Sequence, residues 1–149
     1  MSFLKRLYEG ITGKKKGQTS EQTVIQKSEL EIICGDDEET YKALEHTMFL
    51  DPRKITTSME DAASNAAKFE KEKNFNRARI WYDIAGGLAI YKGNIADVTK
   101  YFRRAKDISE KELNIPAEYP ILKDPEKAVN KALEYYTKHL KTEEPSRSR

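Results

Sequence analysis

The fold of this chain is decided by one stretch of sequence, Asn76-Arg-Ala-Arg-Ile-Trp-Tyr-Asp-Ile-Ala-Gly-Gly-Leu-Ala-Ile-Tyr91. From Ala78 to Tyr91 the only charged residues are Arg79 and Asp83, although 35% of the whole chain is charged. A helix that is apolar nearly all round must be covered on more than one side. The stretch therefore predicts a central helix in an all-α domain, with the neighbouring helices packed around it.

Turn and capping signals predict six helices in the body of the chain, the central helix included, each of roughly 12–19 residues. Gly35 and Gly93 are predicted C-terminal stops, whereas Asn94 and Asp124-Pro125 are predicted starts. The run Thr57-Ser-Met-Glu60 predicts a capping box that opens a helix at about residue 59. Short connections predict antiparallel neighbours. We therefore expect antiparallel helix hairpins, stacked as a short solenoid or a bundle.

The segment from Thr23 to Cys34 supports two interpretations. Its apolar residues fit one helical face, but Leu30-Glu-Ile32 alternates as in a strand. We favour a helix that ends at Gly35, because glycine commonly follows the last residue of a helix.

Two stripes run along the predicted central helix. A stripe of mostly small residues is expected to face the helix at 59–73, and a larger stripe to face the other hairpins. The first comprises Ala78, Tyr82, Ala85 and Ala89, and the second comprises Ile80, Ile84, Leu88 and Tyr91, with Trp81 beside it. The Gly86-Gly87 pair costs about 2 kcal/mol of helix propensity relative to alanine. Close helix packing is the favoured compensation, and a bend that opens a groove is the alternative.

The spacing of small and aromatic residues in the range 62–85 resembles a tetratricopeptide-repeat hairpin. The residues that carry the resemblance are Ala66, Phe69, Phe75, Ala78, Tyr82 and Ala85. Continued through Tyr101-Phe-Arg-Arg-Ala-Lys-Asp-Ile108, the stretch is also similar to the three-helix microtubule-interacting-and-transport type of domain. Both families bind peptides or helices in grooves and do no chemistry, so the resemblance implies a binding module.

A candidate groove is expected around aromatic and basic residues of the second and third helices of this unit. It comprises Trp81, Tyr82, Tyr91, Arg103 and Arg104. A core position for the aromatic residues, and a solvated helix face for the arginines, are the alternative interpretations.

The basic character of the chain is concentrated in residues 1–17, which carry five Lys or Arg and one Glu. Since the whole chain has a net charge of +2, the remainder carries −2. One face of a predicted N-terminal helix is apolar, comprising Phe3, Leu4, Leu7, Tyr8 and Ile11. The basic residues beside it are Lys5, Arg6, Lys14, Lys15 and Lys16. This pattern favours docking on an anionic membrane surface or a partner, and packing against the body is the alternative.

No pattern in the chain points to catalysis, a metal or a cofactor. His46 and His139 lack the spacing of metal ligands, and a single cysteine, Cys34, is interpreted as a small buried hydrophobe. The contiguous acids Asp36 to Glu39 suit the start of a helix better than a calcium loop. Nucleic acid is not an expected partner, because the body is acidic and has no base-stacking motif.

These patterns predict three parts: a basic amphipathic segment at 1–17, a helical domain at 18–141 and a polar tail at 142–149. The predicted function is a non-catalytic adaptor that binds a protein segment, in the cytoplasm or at the membrane periphery. One alternative is a small ligand-binding protein or enzyme with a pocket near Gly86-Gly87, where Arg79, Tyr82 and Asp83 would be the nearby polar groups. The other is a structural homo-oligomer, and the oligomeric state is left open.

Overall fold

The computed structural model describes residues 28–48 and 51–140, which form six α-helices and no β-strand. In chain order the helices are α1 (Glu29–Cys34), α2 (Glu38–Thr47), α3 (Met59–Lys71), α4 (Phe75–Lys92), α5 (Ile95–Asp107) and α6 (Pro125–His139). Short 3-10 turns span Pro52–Lys54 and Pro120–Lys123, and α5 continues into a π-turn, Ile108–Glu112. The predicted all-α fold class is therefore confirmed for the described part of the chain.

Each of the six helices is preceded by an N-cap residue whose side chain accepts a hydrogen bond from a backbone N–H of the first turn. Such caps satisfy donors that have no partner within the helix. The capping residues are Ser28, Asp37, Ser58, Asn74, Asn94 and Asp124. Gly93 then ends α4 in the left-handed conformation, with a φ of 74°. The predicted boundaries at Gly93, Asn94 and Asp124 are confirmed.

The predicted helix start at about residue 59 is confirmed, but its predicted cap and the start of the first helix need correction. The helix at 59 is capped by Ser58, which accepts from the N–H of Asp61, so the box predicted from Thr57 to Glu60 does not form. The first helix ends before Gly35 as predicted but begins only at Glu29. A reciprocal capping box between Ser28 and Glu31 sets that start and makes the helix shorter than expected.

The helix α4 lies at the centre of the fold, as its apolar sequence predicts. It packs extensively against α3 and α5 and also contacts α6. The turns between α3, α4 and α5 are only three and two residues long, so these helices form successive antiparallel hairpins. The helices α1 and α2 pack against α6 and complete the core.

The larger stripe of α4 is covered only in part, which corrects one prediction. Leu88 is buried, and Tyr91 contacts the ring of Tyr136 on α6 at 5.1 Å between centroids. Ile80, which the pattern assigns to the same covered stripe, is 48% exposed. The reason is geometric, because α6 covers the C-terminal half of α4 and no described element covers the outer side of its N-terminal half.

The two glycines of α4, Gly86 and Gly87, have different surroundings. A Cβ placed on Gly86 would lie 2.6 Å from Cζ of Phe102, a fully buried residue of α5. A Cβ on Gly87 would meet only the carbonyl oxygen of Thr47, at 3.9 Å. Close packing, the favoured compensation for the glycine pair, therefore holds at Gly86.

We expect Gly86→Ala to be less stable than Gly87→Ala by about 1–3 kcal/mol, the usual cost of overpacking a core. Both variants gain the same helix propensity, about 1 kcal/mol relative to glycine, so their difference isolates the contact with Phe102. Urea unfolding followed by circular dichroism measures both. Equal free energies of unfolding for the two variants would contradict the close approach of α4 and α5.

Candidate functional site

The outer face of the α3–α4 hairpin carries an open cavity of about 420 Å³. Three positions of each helix line it, and we call the site the Trp81 groove. Its lining residues are Asn65, Lys68, Phe69, Arg77, Ile80 and Trp81. The lining positions recur at intervals of three and four residues, so each set occupies one face of its helix.

Apolar side chains form the floor of the Trp81 groove. Ile80 is one of three large apolar residues that lie exposed within the described part of the chain. Trp81 and Phe69 are half-buried and rest against the core. Binding sites are typically concave and mostly apolar, with a small number of polar groups beside the apolar surface.

Two cations flank this floor, one from each helix. Lys68 Nζ lies 5.9 Å from the centre of the Phe69 ring, and the Arg77 guanidinium lies 5.6 Å from it. Cations at this distance from an aromatic face are attracted by the ring quadrupole. The ring therefore holds both charges beside the apolar floor.

The five residues of the candidate groove expected from the sequence are divided among several places. Only Trp81 lines the Trp81 groove. Tyr82 and Arg104 meet on the opposite face of the hairpin, where the Tyr82 hydroxyl donates to Glu70 Oε1 at 3.0 Å and the Arg104 guanidinium pairs with the same carboxylate. Tyr91 packs against α6, and Arg103 is exposed on α5.

The Glu70 contact explains why Tyr82 and Arg104 are structural in this arrangement. Glu70 lies at the end of α3, and its carboxylate links α3 to both α4 and α5. The Tyr82 ring also stacks with Tyr101 of α5, at 6.4 Å between centroids. These side chains fix how the three helices pack, and their polar atoms already have partners.

A second polar cluster surrounds Asp83, on the inner side of α4. One oxygen of the Asp83 carboxylate accepts from the Tyr119 hydroxyl at 2.8 Å, and the other pairs with Arg79 at 3.2 Å. His46 makes an edge-on contact with the Tyr119 ring at 5.4 Å. Burial raises the pKa of Asp83, while the Tyr119 hydroxyl, Arg79 and His46 oppose that rise.

The cluster resembles an acid–base site in composition but offers a substrate little room. The cavity that Asp83 and Gly87 line has a volume of only about 10 Å³, close to the space for one water molecule. Phe102 fills the space beside Gly86. Both Asp83 oxygens are occupied by protein donors, so the cluster ties α4 to the loop that carries Tyr119.

A third cavity, of about 410 Å³, lies between α2, the second 3-10 turn and α6. Two of the three lysines that line it pair with carboxylates, since Lys123 contacts Glu39 at 3.4 Å and Lys127 contacts Asp37 at 2.9 Å. The Lys127 contact and the hydrogen bonds from Thr40 lower the pKa of Asp37 to about 2. Most of the positive charge of this cavity is thus paired within the fold.

Within residues 28–48 and 51–140, no group of three or more His, Cys, Asp or Glu is placed to hold a metal ion. His46 and His139 lie on different helices, and His139 Nδ1 contacts Glu29 at 2.8 Å. Cys34 is buried as predicted, and burial raises the pKa of its thiol. The acids Asp36 to Glu39 lead into α2, where Asp37 is the N-cap.

The N-terminal docking residues predicted from the sequence lie outside the described residues. They are Phe3, Leu4, Lys5, Arg6, Leu7, Tyr8, Ile11, Lys14, Lys15 and Lys16. In the described part, no helix combines the length and hydropathy required to cross a bilayer.

The fold and its surface define a small all-helical domain with an open, cation-flanked apolar groove on one hairpin. Comparison of the chain with protein-family models, with characterised proteins and with solved structures finds no match.

Most of the Trp81 groove was not predicted from the sequence. Ile80 was assigned to a covered stripe, Phe69 was noted only for the resemblance to a repeat hairpin, and Asn65, Lys68 and Arg77 were not singled out. The sequence did contain a signal for the groove. Lys68 directly precedes Phe69 on α3, and Arg77 lies four residues before Trp81 on α4. If the two predicted helices are placed side by side as an antiparallel hairpin, Lys68 and Arg77 come together around Phe69.

Proposed function

We propose that the chain is a non-catalytic adaptor that binds a segment of another protein, a peptide or a helix, in the Trp81 groove. The observation that carries this proposal is the exposed apolar floor of Ile80, Trp81 and Phe69 between two antiparallel helices. Grooves between helices take amphipathic segments, which insert apolar side chains at helical spacing. Tryptophan and arginine are also the residue types that most often contribute strongly to binding.

The resemblance of the α3–α4 hairpin to tetratricopeptide-repeat hairpins supports the same proposal. Families of that type bind peptides in helical grooves, which is what the resemblance implies for this chain. The alternative of a ligand pocket at Gly86-Gly87 receives less support, because the cavity there holds about 10 Å³. We therefore assign binding to the outer face of the hairpin.

Affinity capture of a partner, with the purified chain as bait, tests the groove directly. We expect Ile80→Glu to lose the captured partner, because a charge would replace the apolar floor. Ile115→Glu is a matched control, since Ile115 is 49% exposed, against 48% for Ile80, and lies outside the groove. Circular dichroism establishes that both variants fold. Equal capture by the two variants would contradict the proposal.

A second part of the proposal is that the basic N-terminal segment holds the adaptor at an anionic membrane surface. Its apolar residues, Leu4 and Leu7 among them, and its cluster of lysines favour lipid headgroups and the acyl boundary. The support is the sequence pattern and the concentration of positive charge in residues 1–17.

Co-sedimentation with phosphatidylserine-containing liposomes tests the tether. We expect the full chain to sediment with anionic liposomes, and Leu4→Glu/Leu7→Glu to remain in the supernatant, because the apolar face is lost. Neutral liposomes should bind the full chain more weakly, since each basic residue near an anionic surface contributes about 1 kcal/mol. Equal sedimentation of the full chain and the double variant would show that no such tether exists.

A further inference from the structure

The charges of the Trp81 groove differ from those of the cavity between α2 and α6. Among the described residues, Lys68 and Arg77 are the only charged ones that line it. No carboxylate of the described residues lies within ion-pair distance of either side chain, and both rest on the Phe69 ring. In the cavity between α2 and α6, by contrast, two of the three lining lysines, Lys123 and Lys127, each pair with an acidic residue.

Because Lys68 and Arg77 are not paired with carboxylates, their charge favours a bound segment of negative charge. An apolar segment that covered the groove would bring its own side chains close to Lys68 and Arg77, and like charges there would be repelled. Carboxylates at the edge of such a segment would instead meet both cations. Arginine also presents a fork of donors that matches a carboxylate with two hydrogen bonds.

We propose that the Trp81 groove binds an acidic amphipathic helix of a partner protein. Apolar side chains of that helix lie on Phe69, Ile80 and Trp81, and its carboxylates face Lys68 and Arg77. The inference rests on the proposed adaptor function and adds the chemical class of the partner. Each helix lines the groove over five positions, 65–69 and 77–81, which correspond to about 6 Å along a helix axis. A bound helix of three to four turns, about 14 residues, is therefore long enough to cover the groove.

Other occupants fit the charges less well. Residues 1–17 of the same chain carry a net charge of +4, so they would be repelled by the two cations. A second copy that presented the same groove would place four cations together. A polyanion such as single-stranded nucleic acid would meet only two cations in the groove, and residues 18–149, with these two included, carry a net charge of −2.

The chain provides its own reporter, because Trp81 is its only tryptophan. The probe is a synthetic helical peptide of about 14 residues, with leucine at every third and fourth position and glutamate at most others. Its twin has lysine in place of each glutamate, and neither contains tryptophan. Each peptide is titrated into the full chain, and the Trp81 emission gives the Kd.

We expect the acidic peptide to shift Trp81 emission to shorter wavelength and to bind about tenfold more tightly than the basic twin at low salt. In 1 M salt, where the screening length falls to about 3 Å, the two Kd values should agree within about twofold. The double variant Lys68→Glu/Arg77→Glu should reverse the preference. Lys123→Glu, a control outside the groove, should leave the preference unchanged, since Lys123 is exposed and lines only the other cavity.

Several results would overturn the inference. Equal or tighter binding of the basic peptide, or of a short oligothymidylate, would show that the groove does not select an acidic helix. So would a dimer in light scattering that Ile80→Glu dissociates, because a second copy would then be the occupant. An unchanged Trp81 emission with both peptides also overturns it. If the Ile80-dependent capture of a partner persisted in that case, the adaptor function would stand with a partner of other chemistry.

Discussion

The approach of α4 to α5 at Gly86 is the constraint on which the packing of this domain depends. The Phe102 ring occupies the space that any larger residue at position 86 would fill. This contact brings the two helices close together, and Ala85, Ala89 and Ala105 are completely buried in the core. Close packing of this kind is sensitive to single methyl groups, because protein interiors are packed as densely as organic crystals. The same contact explains why a glycine pair occurs in the most apolar helix of the chain.

This constraint also determines where a partner can bind. The inner faces of α3, α4 and α5 are joined by Phe102 and by the Glu70 contact with Tyr82 and Arg104. Polar groups near the centre are occupied, and the cavity beside Gly87 is nearly closed. Among the described residues, Ile80 is the large apolar side chain of α4 that is left exposed, on the outer side of the N-terminal half of the helix. Stability and the proposed binding function are therefore assigned to opposite faces of one hairpin.

Much of the fold could be predicted from the sequence, because helix starts and ends depend on local chemistry. Gly93 and Asp124 have the same role in the structure as in the sequence interpretation. The π-turn after Asp107 could not be predicted, since its hydrogen bonds, such as Leu113 N–H to the Ile108 carbonyl, give no periodic signal. The candidate groove was harder still. Which side of an apolar helix remains uncovered depends on where distant elements such as α6 pack. The hydrophobic pattern of the helix alone does not determine this, since Ile80 belongs to the predicted covered stripe and is nevertheless exposed.

A double-mutant cycle on Gly86→Ala and Phe102→Leu is the most direct test of the central packing claim. If the two side chains occupy one space, leucine at 102 makes room for the new methyl group. The cost of the double variant should then be smaller than the sum of the single costs by at least about 1 kcal/mol in free energy of unfolding. Additive effects, within about 0.5 kcal/mol, would show that the two positions do not touch and would contradict the account of α4 as the packed centre.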